Sequence, residues 1–316
     1  MIEFLQAPDR PVLVIGGAGI DVVGRVRDDL QMGISNPAHI RFSFGGVARN
    51  VAENLARLGQ PVVLIAAIGT DQAGDQLLQW TTQAGVDTSA VLRTEAFPTG
   101  IYLGVVNPAG RLQLALDDMN ATNALTPAHI KAKAELFRNA SLVFIDANLP
   151  RDTLRTVLSL ARKARLPVCA DPTSSILADR LKPYLHHLWM ITPNGVEAGI
   201  LCEQNFESSQ RQRAMEAAKC LVSQGSTIAL ITLAEFGVVY ASSETSGYIP
   251  AIRTKIVDPT GAGDALTAAV IFGLLNKVPL DDAVRLGVTA ASLTLRQRGT
   301  VIPDLSQELL YDQLVI

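Results

Sequence analysis

Short hydrophobic runs alternate along the chain with longer segments in which apolar residues recur every three or four positions. A run of four to eight apolar residues between turn residues is typical of a strand buried on both faces, and the wider spacing is typical of an amphipathic helix. The segment VARNVAENLARLG predicts such a helix, which ends at Gly59. The predicted strands lie in PVLVIGGAG, PVVLIAAIG, SLVFIDAN, LPVCADP, HLWMITPN and STIALITLAEFG.

This alternation predicts an α/β fold with a doubly wound, mainly parallel central sheet and helices on both of its faces. We expect residues 1–316 to form a single domain of this kind. In open sheets of this type, ligands bind beyond the carboxyl ends of the strands. Candidate functional residues are therefore expected in the loops that follow the predicted strands.

Two stretches break the pattern and alternate between apolar and polar residues, as half-exposed strands do. They are residues 20–43 and residues 97–117, and the second is predicted to turn at Asn107 to Gly110. Strands inserted from two separate places are expected to pair into a small sheet outside the core. Such a sheet would serve as a lid over an active site or as a subunit contact, and a homodimer through the lid is one hypothesis.

Composition and charge favour a small-molecule partner. The chain is 48% hydrophobic and 18% charged, with a formal net charge of -3, and it has no long run of Lys or Arg. These features argue against nucleic acid or a membrane surface as a partner. The first apolar run is too short to cross a membrane and no basic leader precedes it, and the three widely spaced cysteines are expected to be reduced thiols. We therefore expect a cytoplasmic protein.

The stretch GAGD, residues 261–264, brings small residues and one carboxylate to the start of a long apolar helix. A helix N-terminus carries free N–H groups and partial positive charge, and glycines there allow an anion to approach the backbone. Gly261, Ala262 and Gly263 are thus candidates for an anion hole, with Asp264 beside it. The alternative is that Asp264 only stabilises the helix N-terminus.

The longer stretch DPTGAGD resembles the second signature of the ribokinase-like (PfkB) carbohydrate and nucleoside kinases, in which Asp258, Thr260 and residues 261–264 match. The resemblance implies a ribokinase-like fold and transfer of the γ-phosphate of ATP to a hydroxyl group. In that reaction Asp264 would be the base, and residues 261–263 would stabilise charge on the transferred group.

An earlier stretch, FSFGGVARNVAENLARLG, resembles the first signature of the same family. By this resemblance Gly45, Gly46 and Asn50 would contact a sugar, and Asp21 would bind two sugar hydroxyls. Paired glycines let a polyol approach closely, and an amide both donates and accepts hydrogen bonds. The chain departs from many relatives at Gly19, where they carry Asn.

Further matches concern the nucleotide and cations. Asn194 and Glu197 lie three residues apart at a predicted helix start, which on its own favours a helix cap. The family's Asn-x-x-Glu motif instead implies that they organise Mg²⁺ through water.

The stretch ITLAEFGVVY resembles the family's nucleotide loop, which implies that Thr232 and Gly237 contact ATP. Ala234 replaces a glycine that is usual in this loop. A K⁺ site is a further hypothesis, and its ligands would be backbone carbonyls near Asp258.

Two further stretches resemble the bacterial pseudouridine kinase branch of the family: SNPAHIRFSFGGVARN and LDDMNATNALTP. In the second, Asp118, Met119 and Asn120 follow a predicted lid strand. A uracil-like base suits an Asn amide and a Met side chain. The alternative is that Asp118 and Asn120 form a turn and Met119 fills the lid.

The resemblance therefore implies an ATP-dependent kinase that phosphorylates the 5′-hydroxyl of pseudouridine, giving pseudouridine 5′-phosphate. An alternative with the same chemistry is a ribokinase or another sugar or N-nucleoside kinase. An alternative of another class is a ligand sensor that has lost catalysis, although such a protein would have no need of Asp264, Asn194 and Glu197.

Overall fold

The computed structural model describes residues 9–314, and in this range the chain forms three β-sheets surrounded by α-helices. The strands are β1 (Val12–Ile15), β2 (Gly19–Val26), β3 (Ala38–Gly45), β4 (Val62–Ile65), β5 (Ala67–Gly69), β6 (Leu92–Thr94), β7 (Gly100–Val106), β8 (Leu112–Asp118), β9 (Leu142–Asp146), β10 (Val168–Asp171), β11 (Met190–Ile191), β12 (Ile228–Thr232), β13 (Val238–Ser242) and β14 (Ser246–Ile249). The helices are α1 (Val47–Arg57), α2 (Gln72–Gln83), α3 (Pro127–Ala132), α4 (Ala134–Asn139), α5 (Arg151–Lys163), α6 (Gly195–Leu201), α7 (Arg211–Ser223), α8 (Ala262–Leu275), α9 (Leu280–Leu295) and α10 (Gln307–Asp312).

The central sheet has eight strands in the order β14, β13, β12, β11, β10, β9, β1, β4. From β12 to β4 all neighbours are parallel, so the predicted mainly parallel α/β sheet is confirmed. All six predicted buried strands are present. Two antiparallel strands, β13 and β14, extend one edge. The hydrophobic pattern does not predict this hairpin, because β14 is short and partly exposed.

Side chains from the parallel strands alternate between two apolar layers. Val12 and Val14 of β1 pack on the side of α1, α2, α8, α9 and α10, whereas Leu13 and Ile15 pack on the side of α3 to α7. Helices therefore cover both faces, as the strand and helix alternation predicts. Helix α8 is buried along almost its whole length beneath α9.

The predicted helix after the glycine pair is α1, and the chain leaves it at Gly59, which has a positive φ. The N-termini of α1 and α8 both lie at the cleft beyond the carboxyl ends of the central strands. Strands β9 and β10 deliver the carboxylates Asp146 and Asp171 to the same edge of the sheet. This edge is where the expected ligand site lies.

The predicted small sheet is also present, as four strands in the order β3, β2, β7, β8. We call it the lid. Strand β2 pairs antiparallel with β3 and parallel with β7, and β7 returns as β8 through a turn. In that turn the N–H of Gly110 donates to the carbonyl of Asn107 at 2.9 Å, as the predicted hairpin requires.

The two faces of the lid differ in chemistry. Successive side chains of a strand point to opposite faces. The inner face carries polar groups, including Asp21, Arg41 and Tyr102, and lies over the loop before α8. The outer face is apolar and exposed along its length: Ile40, Phe42, Ile101, Leu103, Leu114 and Leu116.

Helix α10 is the last element of the described range, and residues 315–316 lie outside that range. Cys169, Cys202 and Cys220 are free thiols, as expected. None of the helices within residues 9–314 has the length and apolar character needed to span a bilayer.

Candidate active site

The loop before α8 brings the predicted anion-hole residues to the cleft. Gly261 caps the helix with φ of +80°, and a Cβ there would lie 2.0 Å from the carbonyl oxygen of Thr300. Only glycine meets both demands. Ala262 and Gly263 then open α8 and line a cavity of about 1080 Å³.

Asp264 lies in the first turn of α8, and its carboxylate accepts a hydrogen bond of 2.7 Å from Nδ2 of Asn50. Burial raises the pKa of Asp264 to about 7, and the negative charges of Asp21 and Asp146 add to this rise. The bond from Asn50 and the positive charge of Arg49 oppose it. A carboxylate with a pKa near neutrality is suited to accept a proton from a hydroxyl group.

Asp21 lies on the inner face of the lid and is 8% exposed. Burial raises its pKa to about 6; the charge of Arg49 lowers the pKa, and the charge of Asp258 raises it. A Cβ at Gly45 would come within 2.1 Å of the Asp21 carboxylate, so the glycine makes room for this group. The structure thus brings the predicted sugar-binding residues Asp21, Gly45 and Asn50 together at the start of α1.

A fully buried carboxylate, Asp146, ties this region together. Its Oδ2 accepts from the backbone N–H of Gly17 at 2.8 Å and of Ala48 at 3.0 Å. Gly46 is the residue just before α1. Its φ is +91°, and a Cβ there would lie 2.5 Å from the carbonyl oxygen of Gly17. The loop after β1 and the N-terminus of α1 are therefore held in direct contact.

Asn194 and Glu197 form a reciprocal cap at the start of α6. Asn194 Oδ1 accepts from the N–H of Glu197 at 3.0 Å, and Glu197 Oε2 accepts from the N–H of Asn194 at 2.8 Å. Glu197 is buried, and burial raises its pKa. Asp171 is close enough that the charge of Glu197 adds to the burial that raises the pKa of Asp171.

This donor set fits a divalent cation that takes most of its ligands from phosphate and water. In residues 9–314 no group of three or more His, Cys, Asp or Glu side chains is arranged to hold a metal ion. The oxygens of Asn194 and Glu197 already accept bonds within the cap. The charge of Glu197 raises the pKa of the nearby Asp171, and a cation between phosphate and these carboxylates would stabilise both charges. Mg²⁺ commonly keeps several waters.

The large cavity extends from the α8 loop to the predicted nucleotide loop. Asn194, Thr232 and Gly237 line it together with Gly263. Ala234, where the sequence departs from the usual glycine, also lines it and has φ of +50°. The remaining wall is largely apolar: Ile252, Ile256, Leu266, Val288, Ala291 and Leu295. An apolar wall facing polar groups at one end suits a ligand with a flat ring and an anionic tail.

A second cavity of about 330 Å³ lies between the inner face of the lid and residues 258–260. Arg25 and Gly110 border both cavities, so the lid joins them. Arg41 of the lid lies 3.6 Å from the Asp258 carboxylate. Positive side chains of the lid thus lie beside the loop that leads into α8.

Of the three residues at the end of β8 and just after it, one side chain points into the site and two are exposed to solvent. Met119 packs on glycines of the site: its sulfur would lie 2.7 Å from a Cβ at Gly100 and 3.3 Å from one at Gly19. The side chain of Met119 therefore lies beside Gly19, where many family members carry Asn. Asp118 and Asn120 are exposed and bond to each other, with Asn120 Nδ2 donating to Asp118 Oδ1 at 2.8 Å.

Five polar residues of the site are absent from the sequence-based prediction: Arg25, Arg41, Arg49, Asp146 and Asp171. Asp146 and Asp171 are the last residues of β9 and β10. Ligands bind beyond the carboxyl ends of such strands, so a search for polar residues at the predicted strand ends would have found both. The arginines carry no such signal, because nothing in their sequence neighbourhood separates them from surface arginines.

Comparison with known proteins gives concordant matches over nearly the whole chain. The sequence profile of the pfkB family of carbohydrate kinases matches residues 9–307. A pseudouridine kinase from Escherichia coli (strain K12) is 32% identical over 296 residues, which is 93% of this chain and 93% of the relative. A guanosine-inosine kinase from Exiguobacterium acetylicum is 28% identical over 297 residues, 93% of this chain and 97% of the relative. Arabidopsis thaliana ribokinase, solved in complex with ribose and ATP, superposes with a TM-score of 0.83 at 22% identity and covers 97% and 99% of the two chains.

The two glycines of the α8 loop are expected to differ in their effect on stability. Gly261→Ala should lower the free energy of unfolding by about 2 kcal/mol or more, since both φ and the Thr300 carbonyl oppose a Cβ there. Gly263→Ala is the matched control, because a Cβ there meets nothing within 4 Å, and we expect a change within about 0.5 kcal/mol. Urea unfolding followed by circular dichroism measures both, and an equal loss in the two variants would contradict this prediction.

Proposed function

Because the chain belongs to the pfkB family of carbohydrate kinases, we propose that it transfers the γ-phosphate of ATP to a nucleoside hydroxyl, with Asp264 as general base. One observation carries this proposal. The Asp264 carboxylate is held by Asn50 at the N-terminus of α8, next to a cavity large enough for a nucleotide, and its pKa is about 7. Base, anion site and cavity are therefore contiguous.

The proposed reaction uses the chain's own groups as follows. Asp264 accepts the proton of the attacking hydroxyl as the new bond to the γ-phosphorus forms, and the bond from that phosphorus to the β,γ-bridging oxygen breaks so that ADP leaves. The N–H groups at the start of α8 donate to the oxygens of the transferred phosphoryl group, where negative charge is concentrated. Asn50 keeps the carboxylate in place by donating to Oδ2. Positioning and electrostatic stabilisation supply most of the rate in phosphoryl transfer.

We propose that ATP occupies the larger cavity. Its ring would lie on the apolar wall and its phosphates would point to Gly263, with Thr232 and Gly237 along its length. Asn194 and Glu197 would hold Mg²⁺ through water, and the ion would neutralise phosphate charge when bound. We also propose a K⁺ ion near the backbone of Asp258, which rests on the family resemblance alone.

The proposed acceptor is pseudouridine, phosphorylated on its 5′-hydroxyl. Asp21, Gly46 and Asn50 would hold the ribose: a buried carboxylate accepts from two hydroxyls, and the glycine leaves room for the ring. The sequence similarity to a pseudouridine kinase supports this choice. Similarity to a guanosine-inosine kinase and to ribokinase keeps other nucleosides and free ribose as the alternative acceptors.

The base would be recognised at the lid. Met119, beside Gly19 and Gly100, offers an apolar surface to one face of a uracil ring. Asn120 donates to Asp118, and its amide oxygen accepts from Nδ2 of Asn123 at 3.2 Å. The second lone pair of that exposed oxygen would accept from a ligand N–H. Pseudouridine has one more ring N–H than uridine, and this difference gives the lid a basis for selection.

The acceptor is tested by measuring ADP release with Mg²⁺ and K⁺ against pseudouridine, uridine, cytidine, adenosine, ribose and fructose. We expect kcat/KM for pseudouridine to exceed the others by roughly tenfold or more, because unpaired polar groups penalise the wrong base. A preference for ribose would replace the acceptor but keep the kinase chemistry. Absence of turnover on every acceptor would refute the proposed function.

The base is tested with Asp264→Asn, which preserves shape and removes proton acceptance. We expect turnover to fall by about a thousandfold or more while ATP affinity stays unchanged. Because the carboxylate must be ionised and its pKa is about 7, the wild-type kcat/KM should fall on the acid side of pH 7. Asp282→Asn makes the same chemical change in the first turn of α9 and is the control. Equal activity in Asp264→Asn and Asp282→Asn would rule out this role.

We further propose that a second copy of the chain covers the outer face of the lid. Phe42 is 74% exposed there, and the apolar side chains around it come from β3, β7 and β8. An exposed apolar patch of this kind matches a copy of itself through a two-fold axis, which buries the same residues on both subunits.

We expect Phe42→Asp to convert a dimer into a monomer, because the interface would then bury one negative carboxylate from each subunit without a positive partner. Light scattering coupled to size-exclusion chromatography reports the mass. Ile176→Asp is the control, since Ile176 is 88% exposed and lies outside the lid. A wild-type monomer at working concentration would disprove the dimer.

A further inference from the structure

A buried arginine lies directly behind the amide that holds Asp264. Arg49 is the third residue of α1 and is 1% exposed. Its Nη2 and Nε donate to Asn50 Oδ1 at 2.6 and 3.2 Å, and its Nη1 donates to Glu53 Oε2 at 2.7 Å. A charged group buried to this extent needs such partners, because its burial is otherwise costly.

The bonds from Arg49 determine which way the amide of Asn50 points. A guanidinium group can only donate hydrogen bonds, so the acceptor atom of Asn50, Oδ1, must face Arg49. The donor atom, Nδ2, then faces Asp264 and bonds to its Oδ2 at 2.7 Å. With the amide turned over, two acceptors would meet at Asp264 and two donors would meet at Arg49.

Glu53 holds Arg49 in place from the other side. Its Oε1 accepts from Arg57 Nη2 at 2.6 Å and from Trp80 Nε1 at 3.2 Å, while Oε2 accepts from Arg49. Glu53 is itself buried. The chain of contacts therefore runs from α2 through two residues of α1 to Asn50 and ends at the first turn of α8.

Charge in the site gives Arg49 a second effect on Asp264. The groups that face Asp264 from β2 and β9 are the carboxylates of Asp21 and Asp146, and Asp171 of β10 lies nearby. All three disfavour a further negative charge. Arg49, from α1, opposes them and lowers the pKa of Asp264.

We infer that Arg49 is a positioning residue for the phosphoryl transfer: anchored by Glu53, it orients Asn50 so that Asp264 is held through Oδ2 and receives the substrate proton on Oδ1. This role rests on the proposed function. Neither Arg49 nor Glu53 is among the positions at which the chain matches the two family signatures. Arg49 touches neither nucleotide nor acceptor in this scheme, and its effect passes through Asn50.

The test variant is Arg49→Met combined with Glu53→Gln, which removes both buried charges together so that neither is left unpaired. Both proteins are assayed with the acceptor that the wild type turns over best. Relative to the wild type, we expect the kcat of the double variant to fall about tenfold or more. We expect the acid limb of its kcat/KM profile to move to higher pH by about one unit. The KM for ATP should stay within about twofold, because Arg49 lies behind the acceptor side of the site.

Arg57→Met is the matched control. Arg57 binds the same Glu53 through its other oxygen and lies in the same helix, but it has no contact with Asn50 in the described structure. We expect its kcat and its acid limb to match the wild type. An equal shift in Arg57→Met would overturn the inference, since it would attribute the effect to general loosening of α1.

A second readout needs no substrate and separates this inference from the proposed function. Carboxyl ¹³C chemical shifts titrate the aspartates, and the Asp264 signal is identified by its absence in Asp264→Asn. We expect a higher pKa for Asp264 in Arg49→Met with Glu53→Gln than in the wild type or in Arg57→Met. If that pKa and the acid limb both stay at their wild-type values in a folded variant, Arg49 has no positioning role. If no acceptor is turned over but the pKa moves as expected, the proposed function fails and the coupling of Arg49 to Asp264 stands.

Discussion

The site depends on close approach of backbone segments that carry no side chain at the point of contact. Gly46 meets the loop after β1 and Gly261 meets the carbonyl of Thr300, and in both places a methyl group would overlap with backbone atoms. These two contacts set the N-termini of α1 and α8 side by side. Because each helix brings its N–H groups and one polar side chain to the cleft, Asn50 and Asp264 meet as a consequence.

Crowding of carboxylates is the second constraint. The charges of Asp21 and Asp146 raise the pKa of Asp264, and the charges of Glu197 and Asp264 raise the pKa of Asp171. Such a cluster opposes folding unless backbone N–H groups, cations or protons compensate for it. Asp146 is compensated by N–H groups of Gly17 and Ala48. Burial still raises the pKa of Asp146, as it does those of Asp21, Asp171 and Asp264. A raised pKa is the property that proton transfer near neutral pH requires.

The sequence predicts the parts of this arrangement that depend on local pattern. Buried strands, the helix ending at Gly59 and the lid hairpin follow from periodicity and turn residues, and the structure has all three. Long-range pairings leave no such mark: nothing near Arg49 in the sequence indicates that it is buried against Glu53, and Arg41 reaches Asp258 only because β3 folds over the α8 loop. Their identification needs the tertiary structure.

The lid assigns two different tasks to alternate residues of the same strands. Asp21 and Arg41 point toward the cleft, whereas Phe42, the neighbour of Arg41, points away from it. Inserting or deleting a single residue within β2 or β3 would exchange the two faces and bring apolar groups into the site. The connections, residues 27–37 and 107–111, are where residues can be added or lost while the register of the strands stays intact.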